Sequence, residues 1–416
     1  MDYYEARDST FDNYLPDTNE KSQIEDFFNG CTVLVTGVTG FIGNLVVEKL
    51  LRCCPGIKKI YFFIRIKKNV PERERALEVI SESIFANVKE QNPTFVDKIV
   101  VVPSDCSLPN LGLSESDRKM VLDTDIVFHI AATLRFDDHF RNSMTGIGTT
   151  YSVMKSIAEN VVQEYHNQFP IGIVRPSIVI STGSEPIESW IKGLNGPTAM
   201  FLGVLMGVMR VVHIDQQKRP DLIPADKVAS AIVAATWDLT HHKPTSPQMP
   251  VYNVVSYNKS PISWHGLSTF YMRTDQNHPN LASERSIWEP FGIFTKSRLI
   301  YNVLYLFLHI LPGIIMDVLL QFKGHSPLLM KLYRKAYYLM DVMSIYYSRV
   351  WEFEDDNLYA IWDKMTEQDK LKFNFSLVDF DWCQYYYNYA RGLKVYLLKE
   401  TTDFEAMEKS YRKRRM

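Results

Sequence analysis

The chain is short of the residues that mark the simplest protein classes. Glycine numbers 19 of 416 residues, too few for a collagen-like or low-complexity chain. The five cysteines, Cys31, Cys53, Cys54, Cys106 and Cys383, are odd in number, form no CxxC pair and show no zinc-ligand spacing. Neither a disulfide scaffold nor a metal module is expected, and a reducing intracellular compartment fits best. An excess of one charge is also missing: 46 Lys+Arg against 48 Asp+Glu leave a formal −2, which gives no reason to expect nucleic acid as a partner. The first 30 residues hold eight acids, two bases and no apolar run. Residues 1–29 therefore read as an acidic, disordered tail without a signal peptide, in the cytosol.

What is there is a core. With 46% apolar residues over 416 positions, the chain can bury one full domain with room for a second. Val33-Leu34-Val35 is a short apolar run, a glycine turn follows, and Phe41, Ile42, Leu45, Val46, Leu50 and Leu51 recur at helical spacing. The pattern repeats, with strands expected over 60–64, 99–102 and 126–130 and helices near 76–88 and 114–122. Such alternation predicts an α/β fold on a doubly wound parallel sheet, here over residues 30–290. Later in that span a helix is expected over 152–165, a strand over 171–180, a helix over 222–238 and a strand over 252–255.

Residues 299–322, LIYNVLYLFLHILPGIIMDVLLQF, are long enough to span a bilayer at about 1.5 Å per residue. Asn302, His309, Asp317 and the Pro312-Gly313 pair make the span impure. An embedded or re-entrant helix is expected, within a membrane-associated segment at 291–330, with a buried core helix as the competing reading. Residues 331–416 are expected to form a helical, aromatic-rich C-terminal domain.

Thr36-Gly37-Val38-Thr39-Gly40-Phe41-Ile42-Gly43 sets glycines three apart between the first strand and the first helix. Gly37 permits the tight turn, Gly40 lets the backbone approach a pyrophosphate, and Gly43 lets the helix sit close to the sheet, its N-terminus facing the anion. Placed after a strand and before a helix, the loop predicts dinucleotide binding, with Thr36, Thr39 and Phe41 as neighbouring contacts. The second strand ends in Ile64-Arg65-Ile66-Lys67-Lys68, with no acid for ribose hydroxyls. Arg65 is accordingly expected on a 2′-phosphate, and the cofactor to be NADPH. Asp105, past the third strand, is a candidate acceptor for the adenine amine. Ala131, Ala132 and Thr133, past the fourth, are small enough for a cofactor to lie along the strand ends.

A hydride delivered to a carbonyl needs a proton for the oxygen, and a phenol supplies one when a neighbouring cation lowers its pKa. Tyr151 and Lys155 stand four apart and share one helix face. Such a pair also arises by chance; its weight comes from opening a helix in a domain that already has a cofactor loop.

Together these segments resemble the alcohol-forming fatty acyl-CoA reductases, the male-sterility branch of the extended short-chain dehydrogenases, particularly animal and insect members. The resemblance rests on TGVTGFIG at 36–43, IYFFIR at 60–65, DCSLPNLGLS at 105–114, HIAATLRFD at 129–137, Tyr151-x-x-x-Lys155, IVRPSIV at 173–179, GLNGP at 193–197 and the stretch 362–400. It implies a Rossmann domain and the reduction of a long-chain acyl-CoA to a primary alcohol, through an aldehyde and with two NADPH, in lipid, wax or ether-lipid metabolism. By the same likeness Gly37, Gly40 and Gly43 hold the pyrophosphate, Arg65 the 2′-phosphate, Tyr151 is the acid, and Lys155 binds ribose and tunes Tyr151. The implied partners are long-chain acyl-CoA and membrane lipid, without metal or nucleic acid and with a homo-oligomer left open. The implied place is an intracellular membrane, endoplasmic reticulum or peroxisome, with the reductase domain facing the cytosol.

One departure is large. Members of the family place a helix, a strand ending in a catalytic Ser or Thr, and a substrate loop between the RFD segment and the YxxxK helix, roughly 70 residues on a 30-residue-per-unit scale. Here Phe136-Asp137-Asp138 runs almost directly into Gly148-Thr149-Thr150-Tyr151. One strand unit is therefore expected to be missing at a seam near 148–150, between the strands at 126–130 and 171–180, leaving two buried edges that must close on each other or open. Two readings stand side by side: an active reductase in shortened form, and a catalytically impaired, membrane-attached protein that binds NADPH or acyl chains. A dehydrogenase for sterols or sugars is disfavoured by the stretch 362–400.

Overall fold

The computed structural model describes residues 20–67, 70–132, 150–241, 248–266, 283, 285–286 and 291–400. In chain order the first half runs α1 (Gln23–Phe28), β1 (Thr32–Thr36), α2 (Phe41–Cys53), β2 (Lys59–Ile64), α3 (Glu72–Ser81), α4 (Ala86–Gln91), β3 (Ile99–Pro103), α5 (Glu115–Met120), β4 (Ile126–His129) and α6 (Thr150–Glu164). Then come β5 (Ile173–Pro176), β6 (Ile178–Ile180), α7 (Pro197–Leu205), β7 (Val211–His213), β8 (Leu222–Pro224), α8 (Ala225–His241), β9 (Val251–Val254) and β10 (Ile293–Thr295). A long helix, α9 (Arg298–Phe322), contains a π-turn at Leu306–Ile310. The C-terminal helices are α10 (Leu329–Tyr347), α11 (Asp356–Lys364), α12 (Glu367–Lys372) and α13 (Trp382–Gly392).

The expected parallel sheet is present, in the order β3-β2-β1-β4. Val35 of β1 sits between Phe62 of β2 and Phe128 of β4. Every residue of β1 is buried, as a central parallel strand covered on both faces requires. Three further parallel pairs follow, β5 with β9, β6 with β8 and β7 with β10. The apolar run at 171–180 breaks into two short strands at Ser177, whose N–H donates to Val254 O while that of Ile178 donates to Asp221 O. Likewise the helix expected from 222 begins three residues later, because Leu222–Pro224 is a strand.

At the seam, β4 pairs only with β1, and β5 only with β9, among the described strands. The two edges do not close on each other. Nor are they buried, as the sequence led us to expect: Val127 on β4 is 61% exposed, and no residue of 151–164 in α6 is buried. Water can satisfy an open edge's N–H and C=O groups, which makes opening cheaper than sealing them unpaired inside.

Two boundaries differ from expectation for the same reason, contact between the chain's ends. The acidic tail does not extend through α1, whose Ile24 and Phe28 are fully buried. Ser22 caps α1 and also donates to the buried Asp369 carboxylate. Residues Leu358, Ile361, Phe373 and Phe375 of the C-terminal region share one core with α2, α8 and β1. A second, aromatic core joins α7, α10 and α13 through Phe201, Met343, Tyr385, Tyr386 and Tyr389.

Candidate active site

The glycine loop is shaped by steric demands that other residues cannot meet. Gly37 has φ +76°, and a Cβ there would fall 2.7 Å from Ala131 N. A Cβ on Gly43 would fall 2.2 Å from Gly37 O. Helix α2 starts at Gly40 with no side chain capping it and no acid in its first turn, so its positive end is available to an anion. Thr36, expected beside the cofactor, is buried, and its Oγ1 accepts from the N–H groups of Ile130 and Ala131 at 3.2 Å and lies 3.0 Å from His129 Nδ1. It clasps the end of β1 to the end of β4 and so sets the floor of the loop. Phe41 packs on Trp190, ring centroids 5.3 Å apart.

Arg65 leaves β2 exposed at the strand end. Beside it the structure adds a residue the sequence reading missed, Arg75 on α3, which donates to Arg65 O and, at 3.1 Å, to Thr39 Oγ1. Burial and the Arg65 charge beside it push the Arg75 guanidinium below its ordinary pKa. Two cations held together at the end of a glycine loop make a site for a doubly charged anion. The available signal was an arginine ten positions beyond Arg65, among the charges of ERERALE. The Asp105 carboxylate accepts from Ser107 N at 2.9 Å and Ser107 Oγ at 2.7 Å. Those bonds hold its pKa below the ordinary value. A cleft of about 740 Å³ opens next to Thr39 and Arg75, with Lys192, Trp190, Tyr396 and Lys399 on its walls. The glycine cradle and the paired arginines fit a dinucleotide.

Tyr151 and Lys155 come together on the first turns of α6, with Lys155 Nζ 5.8 Å from the centre of the Tyr151 ring. Partial burial, with Tyr346 of α10 nearby, raises the phenol above its ordinary pKa. Burial, with the Lys155 charge adding to it, pushes the His129 imidazole at the end of β4 down. Thr133 lies outside the described residues.

Two sequence profiles, both described as male sterility protein, match the chain, one in two pieces over 35–145 and 137–232, the other over 308–400. The chain belongs to the male sterility protein family. Among curated relatives, Fatty acyl-CoA reductase wat of Drosophila melanogaster is 28% identical over 93% of this chain and 88% of its own length. Fatty acyl-CoA reductase 1 of Mus musculus is 27% identical over 91% of this chain and 86% of its own. The reductase domain of a non-ribosomal peptide synthetase from Mycobacterium tuberculosis superposes with a TM-score of 0.59 at 15% identity, covering 89% of this chain and 92% of that one. The terminal R domain of the myxalamid pathway gives 0.57 at 17%, covering 88% and 91%. These likenesses establish the fold as that of reductase domains.

They also measure the gap. The alignment with the Drosophila protein runs 460 positions, of which this chain fills 93% of its 416 residues, or about 387, so about 73 positions have no counterpart here. The mouse protein gives 450 less about 379, or about 71. The family match is interrupted where its two pieces meet, at 137–145, between β4 and α6. The unit missing from the family pattern and the open place in the sheet coincide.

Proposed function

We propose that the protein binds NADPH and long-chain acyl-CoA at an intracellular membrane, and that its reduction of the acyl group to a primary alcohol, through an aldehyde, is slow. The observation that carries the second half is the sheet edge: β4 has β1 as its one partner among the described strands, and the family match breaks into two pieces in the segment that follows it, at 137–145.

When bound, NADPH supplies hydride. Gly37, Gly40 and Gly43 would hold its pyrophosphate against the start of α2, and Arg65 with Arg75 its 2′-phosphate. Asp105 would accept from the adenine amine, and Ala131 would let the cofactor lie along the strand end. Tyr151 would give its proton to the substrate oxygen, with Lys155 on the ribose. Partial burial raises that phenol, a shift away from the near-neutral pKa that suits a general acid. The relatives' missing unit would also have brought a hydroxyl to polarise the carbonyl, an effect worth about 100-fold or more.

Two measurements test the reading. Arg65 and Arg75 should favour NADPH over NADH by roughly 10- to 150-fold in dissociation constant. Equal constants by fluorescence titration would sink the cofactor assignment. Purified protein given NADPH and palmitoyl-CoA should make little alcohol; robust turnover would mean that the hydroxyl of Thr133, Thr149 or Thr150 fills the vacant role.

A further inference from the structure

Helix α9 is built inside out. Its buried positions are Tyr301, Tyr305, His309, Gly313 and Asp317, each four residues after the last. Its outward positions are mostly apolar: Leu299, Val303, Phe307, Ile315, Leu319 and Phe322 are all between 48% and 85% exposed, with Asn302 and Gln321 the exposed polar residues among them. An amphipathic helix on a water-facing surface has the opposite arrangement. The stretch carries a mean hydropathy of 2.2 and is 22% buried. An apolar face this large on a soluble surface marks a contact with something apolar.

The inward side is fastened along its length to α10, which runs back antiparallel. Asp317 accepts from the N–H groups of Leu328, Leu329 and Met330, each at 2.9 Å, and so caps the start of α10. A Cβ on Gly313 would fall 2.9 Å from the Tyr333 ring. Tyr305 donates to Tyr333 O at 2.5 Å, and at the far end Arg298 pairs with Asp341 at 2.7 Å. His309 accepts from Arg210 N at 3.0 Å, which ties the middle of the helix to the segment leading into β7. The exposed side of α10 presents Lys331, Arg334 and Lys335, at the level of Gly313 and Tyr333, midway along α9. If α9 crossed a bilayer, it would carry those three cations into the hydrocarbon, where ionised side chains are rare and costly.

We propose that α9 lies flat in one leaflet of a membrane containing anionic phospholipid. Its outward apolar face sits among the acyl chains, and Lys331, Arg334 and Lys335, with Lys296 and Lys323 at its ends, stand at the headgroups. This rests on the membrane attachment in the reading above and gives it a geometry: one leaflet is occupied, the bilayer is not crossed, and both ends of the helix stay on the reductase side. The occupant is lipid because the face joins an apolar stripe to a border of cations, the pattern of an interfacial helix on anionic lipid.

The test uses the full chain in two arms, with NADPH titration on each sample to report folding. In flotation with phosphatidylcholine vesicles with or without phosphatidylserine, the protein should float with both, more strongly with phosphatidylserine. Ile315→Asp with Leu319→Asp should lower recovery with vesicles about tenfold or more while NADPH affinity stays unchanged. Lys331→Gln with Arg334→Gln and Lys335→Gln should remove the preference for phosphatidylserine. In the second arm, glycosylation acceptor sites placed just before Ser297 and just after Gly324 are expressed in microsomes, and neither should be modified. Modification at one site alone would show a crossing helix, overturning the flat geometry while leaving membrane attachment in place. Failure of the folded wild type to float would overturn both, and leave the cofactor and reductase reading untouched. Binding that is equal on the two vesicle types would overturn the headgroup contact.

Discussion

Helices α8 and α6 have the same kind of apolar spacing and opposite fates. In α8, Val228, Ala231, Val233, Ala234 and Trp237 are all buried, joined in one core with Leu45, Val46 and Leu50 of α2. In α6, Met154, Ile157 and Val161 recur three and four apart, and each remains about half exposed. The chemistry of the stripe is the same; the partner is not. Beside α8 the strands β5, β6, β8 and β9 are paired, while on the side of the sheet that precedes α6 in the chain β4 has β1 as its one partner among the described strands. Apolar periodicity states which face of a helix requires cover and says nothing about whether the fold supplies it.

The strongest way to break that contrast is to close the open side. Inserting the relatives' segment of about 70 residues between Asp138 and Thr150 should raise alcohol formation about 100-fold or more and bury the α6 stripe, read as protection of α6 amides from hydrogen exchange. No gain in either would mean that the open edge is not what limits this chain. Core truncation sharpens the contrast next. Leu50→Ala on α2 should cost about 2 to 5 kcal/mol in urea denaturation, whereas Met154→Ala should cost under about 1 kcal/mol. Equal losses would place α6 in a packed environment in solution.

The clasp between the chain's ends comes third. Asp369 is fully buried and accepts from Ser22 Oγ at 2.6 Å, Ile24 N at 3.1 Å and Thr366 Oγ1 at 2.8 Å. Asp369→Ala leaves those donors unmet and should cost about 2 to 3 kcal/mol, with α1 becoming the first site of limited proteolysis.

The smallest effect is a pH dependence on the well-packed side. Burial pushes the Glu185 carboxyl up, but Lys49 and Arg52 more than offset it, so its pKa lies below the ordinary value. A depressed carboxylate contributes stability that is fully present above its unfolded pKa, about 4.3, and lost as pH falls through the lower folded value. Glu185→Gln should therefore lower the melting temperature at pH 7, by an amount worth about 1 kcal/mol, and the difference from wild type should shrink below about pH 4. A constant difference across that range would assign the loss to packing.

Much of the nucleotide half was legible. The glycine spacing of 36–43 and the alternation through Ile126 predict the parallel sheet and the loop, because both follow from residues close in sequence. Arg75 was not legible, since only the turn of α3 carries it back to Arg65 and Thr39. The burial of Thr36 and the bonding of Asp105 to Ser107 were hidden for a similar reason: each depends on where a neighbouring hydroxyl or N–H lies. The strand at 171–180 was read as one because its apolar run is continuous, and the break at Ser177 arises from two partner strands far apart in sequence, which begin at Leu222 and Val251. In the C-terminal region, aromatic content marked helices and gave no hint that Leu358, Ile361 and Phe373 would complete the core of the first half.

The sequence alone determined the chain's local elements and the place of its deficit. Glycine at 37 and 43, apolar runs of strand length, and the direct passage from Phe136 to Tyr151 are properties of neighbours along the chain, and neighbours along the chain decide turns, helices and what a unit lacks. Only the tertiary structure decided how the deficit is borne. Whether two orphaned edges meet or part depends on the balance between paired edges and the packing already made by α2, α8 and the C-terminal core, a sum over residues hundreds of positions apart. The same holds for α9. Its sequence reads as a membrane span, and the fold turns its polar stripe inward against α10 and the segment leading into β7, where Tyr305, His309 and Asp317 find hydrogen-bond partners that lipid cannot provide.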